Sequence, residues 1–406
     1  MLSVIKGRLK TAMLPLLGAV MVIGSSCNKD LEVPAPIVPP TPGAGLTLAS
    51  AIAANPNDSL FSRLIVRSGQ AAVLNNAANE YTLFAVDNAG MKLFVNQASG
   101  GAVPLAAPDA TFSAFISNTL PVASAAGIIQ YLTLPQKLSS SQIPTTFPNL
   151  QRPTMIKLDP TNPLVVMSAF PSKNAVGAYF NNVPITGVDV PAANGIIHHI
   201  FTVSPPPSAL LKSMIAAEPT LSYLRAAITR ADSGQVGLNR FDSALNFGVA
   251  NLTVYAPNDA AFQTLVYGLV YSQVLAATGN AATANTQANN AVAAGPAFLA
   301  TNNVTTQLVR GIVAYHLMGV RVFNCNMPTT AANFPTLLNG AIALHPGLRL
   351  QASFTGPAAT AFTATGLGTF PPGGAPYSGA AANATKRDQQ GVNGVYHIID
   401  RVLLPQ

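Results

Sequence analysis

The sequence predicts an α+β protein made of two tandem domains. Three observations carry this prediction: short runs rich in β-formers, apolar residues at helical spacing, and three sequence boxes that occur twice in the same order. The boxes place the first domain at residues 46–206 and the second at 207–406, with three prolines at 205–207 as the junction. Each domain is predicted to be a β-sandwich with a helical layer and to fold on its own.

The composition is poor in charge for a chain of this length. Of 406 residues, 49% are apolar and only 9% are charged, against about 25% charged in a typical domain. The formal net charge is +7, and Lys6, Arg8 and Lys10 supply part of it from an N-terminal leader. Charges so few and so scattered argue against a coiled coil, a chain disordered by charge repulsion and a nucleic-acid-binding surface.

Residues 1–26 have the pattern of an export signal. A basic start is followed by an apolar run at 12–24 and by small residues at 24–26. The next residue is Cys27, and this arrangement is similar to a bacterial lipoprotein signal. We therefore predict that Cys27 carries a lipid that attaches the protein to a membrane, with an ordinary secreted protein as the alternative.

Residues 27–45 are predicted to be a tether between the lipid and the folded part. Five prolines within it favour a stiff, extended spacer. Asn28 stands where some inner-membrane lipoproteins carry Asp, which favours the outer membrane, and Lys29-Asp30 resembles a charged cue for display on the cell surface. The other cysteine, Cys325, is predicted to be a small buried hydrophobic residue without a disulfide.

The first box predicts a β-strand that leads into a helix. It reads YTLFAVDNAGM at 81–91 and LTVYAPNDAAF at 252–262. Its first part combines Thr with aliphatic and aromatic residues, which is typical of strands. The polar pair that follows includes Asn88 in one copy and Asp259 in the other, and either residue is able to cap the following helix.

The last box predicts a strand that begins at a tight turn. NGIIHHIFTVSPP at 194–206 corresponds to NGVYHIIDRVLLP at 393–405, and a looser middle box pairs GIIQYLTLP at 127–135 with GIVAYHLMG at 311–319. Asn-Gly marks the turn because both residues tolerate positive φ. Along 395–404 both faces are largely apolar, so this strand is predicted to be covered on both sides.

Helices are predicted around the strands of the first box and before the middle box of the second copy. Asn55 is placed to cap a helix that has Pro56 at its first position. Apolar residues at helical spacing follow in both copies, and they are Leu60, Leu64, Leu221, Leu224, Ile228, Leu308, Ile312 and Tyr315.

The second copy is longer than the first. The offset between copies grows from 171 residues in the first box to 184 in the middle box and 199 in the last. The additional residues fall in 276–303, which is nearly all Ala, Asn, Thr and Gly, and in 351–390. Both segments are predicted to be long solvated loops, and deletion of 278–302 is expected to leave the second domain folded.

The three boxes resemble those of the fasciclin domain, an adhesion module of animals, plants, algae and bacteria. The second copy resembles it throughout, whereas the first has Asp87-Asn88 in reversed order and Leu132 at the position equivalent to His316. The resemblance covers nearly all of 46–406. It implies a wedge-shaped β-sandwich with a helical layer in each domain, extracellular adhesion or matrix and glycan interaction, and no catalytic machinery.

The resemblance also implies candidate binding residues. In animal members the Asp-containing and Tyr-His segments are linked to receptor binding, which implies Asp259, Tyr315 and His316 here. His345, in LHPG, is predicted to lie in a loop.

The last box is expected to be structural. Its histidines should hydrogen-bond within the fold, and adjacent strand residues point to opposite faces, so His198 and His199 are unable to share one metal. The structural residues of this box are Asn194, Gly195, His198, Asn393, Gly394 and His397. No catalytic residue, metal site or cofactor is predicted.

The sequence thus favours a non-enzymatic, lipid-anchored cell-envelope protein that binds glycans or a surface or matrix protein. Enzyme signatures such as G-x-S-x-G, H-E-x-x-H and C-x-x-C are absent from it. Two alternatives stay open: an accessory ligand-capture lipoprotein of an outer-membrane uptake system, and a structural periplasmic scaffold. Many Asn, Thr and Tyr residues suit neutral polar ligands such as glycans, but they also suit solubility alone.

Overall fold

The computed structural model describes residues 43–145, 149–300, 304–368 and 381–405. The predicted signal peptide, Cys27 and the tether as far as residue 42 lie outside the described residues, and their assignments stay predictions. The described residues belong to one compact unit, Thr41–Gln406. At its start, the N–H of Gly43 donates to the carbonyl of Ala193 at 2.7 Å, which holds the end of the tether against the turn of the last box.

Helices precede and follow the first box in each copy. In the first copy they are α1 (Leu48–Ala54), α2 (Ser59–Ser68), α3 (Ala71–Leu74), α4 (Asn88–Ala98), α5 (Asp109–Ala114) and α6 (Val122–Tyr131). In the second copy they are α7 (Leu211–Ala217), α8 (Ser222–Ala231), α9 (Phe241–Asn246), α10 (Asp259–Thr278), α11 (Ala281–Ala293) and α12 (Thr306–Tyr315). Asn55 caps a short 3-10 turn with Pro56 at its first position, as predicted, and α2 continues from that turn.

Each copy contributes one sheet of linked strands. The strands of the first copy are β1 (Tyr81–Val86), β2 (Thr133–Leu134), β3 (Arg152–Lys157), β4 (Val166–Ala169), β5 (Pro171–Lys173), β6 (Ala178–Phe180), β7 (Val183–Ala192) and β8 (Gly195–Ile200). Those of the second are β9 (Leu252–Pro257), β10 (Leu317–Met318), β11 (Ala332–Phe334), β12 (Leu348–Thr355), β13 (Ala358–Thr365), β14 (Ala382–Gly391) and β15 (Gly394–Ile399). The first sheet has the order β2-β1-β8-β7-β6-β5 and the second has the order β10-β9-β15-β14-β13-β12-β11, while β3 and β4 form a separate hairpin.

The first and last boxes pair at the centre of each sheet. β1 and β8 run parallel with Tyr81 opposite Gly195, and β9 and β15 run parallel with Leu252 opposite Gly394. Every residue of β1, β9 and β15 is buried, which confirms that the central strands are covered on both faces. The α+β class, with a sheet and helices in each copy, is likewise confirmed.

The segment 276–303 is helical as far as residue 300, and the prediction of a solvated loop there is wrong. α10 runs to Thr278, the chain reverses at Gly279 with φ of +64°, and Asn280 caps α11. Alanine is the strongest helix former, and the small side chains of Ala284 and Ala288 are fully buried where α11 packs back on α10. The composition that suggested a flexible loop instead allows two helices to approach closely.

The segment 351–390 also departs from the predicted loop. It contains most of β12, all of β13 and most of β14, while residues 369–380 of the predicted loop lie outside the described residues. Along β12, burial alternates with a period of two. The sequence carries this alternation, with Leu348, Leu350 and Ala352 between polar residues, but the predicted loop began at 351 and divided it.

Two smaller predictions are also corrected. The last-box strand ends at Ile399 rather than continuing to 404, because Asp400 accepts a hydrogen bond from the N–H of Asn383 at 2.7 Å and the chain turns there. On α12 the buried positions include Val309, Val313 and Tyr315, whereas Leu308 is 46% exposed. The apolar stripe on this helix therefore lies one residue further along than the Leu308–Ile312 spacing indicated.

Each copy has a hydrophobic core of its own. One core collects buried residues between Leu48 and Val203, and the other collects residues between Leu211 and Leu404. The boundary at 206/207 falls in the stretch between the two cores, but neither this boundary nor independent folding is tested, and both stay predictions.

A third apolar cluster joins the two copies. It contains Phe170 and Tyr179 from the first copy with Phe323, Cys325 and Val395 from the second. Cys325 is 2% exposed, its thiol donates to the carbonyl of Asn181 at 3.2 Å, and burial raises the pKa of the thiol well above its ordinary value. Cys325 is thus a buried, unreactive thiol at the contact between the copies, as its sequence context suggested.

A buried arginine stabilises the same contact. Arg321 is 4% exposed, its guanidinium lies 4.7 Å from the ring centre of Phe170, and it donates to Asn251 Oδ1 and to the carbonyl of Val392 at 3.0 Å each. Desolvation lowers the pKa of Arg321 to about 10. The planar guanidinium suits this position because it stacks on the ring and donates in its own plane at the same time.

Candidate functional site

His397 and its repeat partner His198 are buried and hydrogen-bonded at both ring nitrogens. Nδ1 of His397 accepts from the N–H of Asp388 at 3.1 Å, and Nε2 lies 2.9 Å from the carbonyl of Val322. His397 is fully buried, and desolvation lowers its pKa. With Nδ1 accepting and Nε2 donating, the ring is neutral and carries no free lone pair for a metal.

The first copy repeats this geometry. His198 Nδ1 accepts from the N–H of Asp189 at 3.2 Å, and Nε2 lies 2.8 Å from the carbonyl of Leu138. Burial lowers the pKa of His198 as well. His198 and His397 therefore make equivalent hydrogen bonds at equivalent positions of the two copies.

The aspartates that face these histidines were missed in the sequence. Asp189 and Asp388 stand at the same offset of 199 residues as the last box, and both have positive φ, +60° and +52°. Asp388 Oδ1 accepts from the N–H of Asn324 at 2.8 Å, and Asp189 Oδ1 accepts from the N–H of Ser140 at 2.8 Å. Extending the last box five residues towards the N-terminus would have revealed them.

The asparagine and glycine of each last box close the turn onto the first helix of their copy. Asn393 Oδ1 accepts from the N–H of Leu211, and its amide donates to the carbonyls of Leu245 and Phe247. Asn194 makes the equivalent three hydrogen bonds to Leu48, Leu74 and Asn76. A Cβ atom at Gly394 would lie 2.3 Å from the carbonyl oxygen of Leu252, and one at Gly195 would lie 2.0 Å from that of Tyr81, so only glycine fits at either position.

Asp259 caps a helix, though not the one that follows it. Its carboxylate accepts from Ser222 Oγ at 2.8 Å and from the N–H of Tyr223 at 2.9 Å, at the start of α8. Asn88 accepts from Leu60 in the same way at the start of α2. The helices that follow the first box are capped by the preceding residues, Asn258 and Asp87, which corrects the expected role.

Tyr315 and His316 lie inside the second core. The hydroxyl of Tyr315 donates to the carbonyl of Gly347 at 2.8 Å. His316 Nδ1 lies 2.8 Å from the carbonyl of Ile312, and Nε2 accepts from the N–H of Leu403 at 2.9 Å. His316 is 1% exposed, and desolvation lowers its pKa to about 4.

The three candidate binding residues are thus engaged within the fold. Tyr315 and His316 share the end of α12, while the carboxylate of Asp259 serves α8. Ligand binding at these residues stays a prediction, and their geometry supports structural roles instead.

His345 lies in a loop, as predicted, but its ring is hydrogen-bonded. Nε2 lies 2.8 Å from the carbonyl of Pro405, and Nδ1 accepts from the N–H of Gly347 at 3.0 Å. The ring also makes an edge contact with Tyr315 at 5.1 Å between ring centres. His345 therefore attaches the C-terminal residues to the domain, which its sequence context did not suggest.

His199 hydrogen-bonds to a buried aspartate, and this pair occurs in one copy only. Its Nε2 lies 3.0 Å from Asp58 Oδ2, and Asp58 is 1% exposed. This hydrogen bond raises the pKa of His199. The residue at the equivalent last-box position is Ile398, so the pair is a feature of the first copy, where it lines a surface pocket of about 470 Å³ together with Asp87 and Thr186.

Two concave surfaces differ in character. The larger, about 990 Å³, follows α12 and the 337–345 loop and is bordered by the exposed side chains of Leu308 and Ile342. The smaller, about 400 Å³, lies where the two copies meet and is lined by Asn182, Pro184, Phe201, Ala358, Ala359, Thr385, Arg387 and Asp388. We name the smaller one the junction cleft.

Within the described ranges, no group of three or more His, Cys, Asp or Glu side chains is placed to hold a metal ion. One helix of that part of the chain, α10, is long and apolar enough to cross a membrane by length and composition alone. Its N-terminal half is largely buried in the second core, with Phe262 and Val266 at 3% exposure, and a core helix of a folded domain passes the same test.

Part of the chain matches a known domain family. Residues 233–405 match the family model of the fasciclin domain. Among solved structures, the chain is similar to a FAS1 domain pair from the insect cell adhesion molecule fasciclin I, at 13% identity over 85% of this chain and 96% of that one, with a TM-score of 0.30. No curated protein matches the sequence.

Proposed function

We propose that this chain, in which residues 233–405 match a domain family associated with cell adhesion, is itself a non-enzymatic adhesion protein of the cell envelope. A lipid on Cys27 anchors it to the outer membrane, and the tether holds the folded part away from the membrane so that it faces a glycan, a matrix protein or another cell.

One observation carries the proposal: three of the five histidines, the residues most often used as general acids and bases, are committed to the fold. His198, His397 and His316 are each buried with both ring nitrogens hydrogen-bonded. A general base needs a nitrogen within reach of substrate and a pKa near the working pH, and buried rings with lowered pKa values meet neither need. We therefore assign the function to binding of a partner at the protein surface.

The contact between the copies supports the same function. Besides the apolar cluster around Cys325, it contains hydrogen bonds from Gln390 to the hydroxyl of Tyr131 at 2.6 Å and from Tyr179 to the carbonyl of Pro357 at 2.8 Å. Directional hydrogen bonds and close packing fix the relative position of the surfaces on either side. An adhesion protein gains from this because a fixed surface loses little conformational entropy on binding.

Anchoring is tested by metabolic labelling with a palmitate analogue. The wild-type protein should be labelled and Cys27→Ala should not, with the Cys325→Ala variant as the matched control that keeps its label. Equal labelling of wild type and Cys27→Ala would refute the lipid anchor.

Adhesion is tested on intact cells. Cells that display the wild-type protein should attach to one another or to a surface coated with envelope glycans more than cells that carry Cys27→Ala. Mild external protease should remove the folded part from intact cells. Protection from protease together with unchanged attachment would contradict the proposal and would favour the periplasmic scaffold or the ligand-capture protein.

A further inference from the structure

The junction cleft brings together side chains from both copies. Phe201 follows the end of β8 and Asn182 follows β6, while Arg387 and Asp388 belong to β14 of the other copy. The β12–β13 turn, which begins at Thr355, closes one side through Ala358 and is held there by the hydrogen bond from Tyr179 to Pro357. The cleft exists because the two copies are in contact.

The fold does not require an aromatic side chain at position 201. Its backbone N–H donates to the carbonyl of Pro184 at 2.9 Å, but its side chain is 55% exposed. The equivalent residue in the second copy is Asp400, which forms the turn contact with Asn383. The fold thus accepts either Phe or Asp at this position, and in the first copy the aromatic ring is exposed on the wall of the junction cleft.

Three polar side chains around the Phe201 ring have hydrogen-bonding atoms that the described part of the fold does not use. Arg387 is half-buried, and among the described residues its guanidinium has no hydrogen-bond or ion-pair partner. Asp388 uses Oδ1 for the N–H of Asn324, and its backbone is fixed by positive φ and by His397. The Oδ2 atom of Asp388 and the side-chain amide of Asn182 have no hydrogen-bond partner within the part of the chain that the structure describes.

From this arrangement we infer that the junction cleft binds a saccharide through Phe201, Arg387, Asp388 and Asn182. The inference rests on the proposed function, since it names the ligand class for which that function would use the cleft. A pyranose ring has one apolar face, which packs on Phe201, and hydroxyl groups that accept from Arg387 and Asn182 and donate to Asp388. Specific sites of this kind combine an apolar wall with a few convergent polar groups.

Size and charge favour a neutral sugar. A volume of about 400 Å³ accommodates one or two rings, which is small for a folded protein partner. The charges of Arg387 and Asp388 cancel, so the cleft has no net attraction for a polyanion.

The test is saturation-transfer NMR on the mature full chain with three neutral oligosaccharides: cellohexaose, chitohexaose and laminarihexaose. At least one should receive saturation from the protein. Phe201→Ala in the first copy and Arg387→Gln in the second should each weaken its binding by roughly tenfold or more, with unchanged thermal midpoints. Phe247→Ala and Arg349→Gln are the matched controls, since Phe247 is 46% exposed and Arg349 is exposed on β12, and neither lines the cleft.

Three results would overturn the inference: no transfer to any of the three oligosaccharides, binding that survives both cleft variants, or binding that depends on one copy alone. If Phe201→Ala unfolds the chain, Phe201→Leu keeps the apolar side chain without the ring and should show the same loss. Cell attachment that persists in both cleft variants would refute the role of the cleft and leave the adhesion function standing. Oligosaccharide binding without any cell attachment would refute the adhesion function and leave the role of the cleft standing.

Discussion

Lowering the pH should destabilise the second copy in part through His316. Its ring is neutral in the folded chain because burial lowers its pKa from 6.5 to about 4. When pH falls below 6.5, the unfolded chain takes up a proton at this position and the folded chain does not, so the unfolded state is stabilised relative to the folded state. Stability from this group is therefore complete at pH 7 and is lost as pH falls towards 4.

The magnitude follows from the two pKa values. Each unit of separation corresponds to about 1.4 kcal/mol, so between pH 7 and pH 4 the contribution of His316 to the free energy of unfolding should fall by about 3 kcal/mol. His316→Leu removes the titration and introduces the residue that the first copy carries at Leu132. It also leaves the N–H of Leu403 without its acceptor, which should cost about 1–3 kcal/mol at neutral pH.

The assay is urea unfolding of the mature chain, followed by circular dichroism at several pH values from 7 to 4. Wild type should be the more stable protein at pH 7, and its advantage over His316→Leu should shrink by about 3 kcal/mol at pH 4. His198 and His397 titrate in both proteins, so the difference between the two curves isolates His316. Parallel curves across this range would show that the His316 ring is already protonated or solvated in the folded state, and would refute the reasoning.

Four further outcomes are expected. His199→Gln should destabilise the chain at pH 6, and wild type should lose this extra stability as pH rises through the raised pKa of His199; a constant difference from pH 6 to pH 9 would argue against a charged pair with Asp58. Asn393→Ala, which removes three hydrogen bonds, should cost roughly 2–4 kcal/mol of unfolding free energy by urea titration, and a loss below 1 kcal/mol would contradict the role assigned to it. Deletion of 278–302 should abolish cooperative unfolding of the second copy, because it removes α11 and buried side chains beyond it, contrary to the expectation from composition. Cys325 should react with a thiol reagent only on unfolding, and rapid labelling of the native chain would show that the contact between the copies opens.

The three boxes that occur twice made it possible to predict the architecture from the sequence. Pairing of first and last boxes could be expected because both read as buried strands, and the shared offsets fixed which residues are equivalent. The histidine role could be derived too, since a His between aliphatic residues on a covered strand needs internal hydrogen-bond partners. What the sequence did not show is which atoms supply them, as the partner of His397 lies in a separate turn at Val322.

The failures share a physical cause. Segments rich in Ala, Asn and Thr carry little hydrophobic periodicity, so 276–303 and 351–390 gave no helix or strand signal. Tertiary packing decides their structure: Ala284 is buried because α10 covers it, and Ala352 is buried in the second core. Surface features were the least predictable, because Phe201 and Arg387 are distant in sequence and become neighbours only through contact between the copies.

The parallel pairing of β9 with β15 has a consequence for how the chain acquires its structure. Tyr255 and His397 sit side by side in this pair, yet they are separated by most of the length of the second copy. Contacts of such long sequence separation form slowly, because a large loop must close before any of their energy is gained. On the ribosome, the central strand of the second copy has no parallel neighbour until almost the last residues emerge. Truncation before residue 394 would therefore leave β9 with an unpaired edge in the middle of its sheet, and such an edge is a template for aggregation.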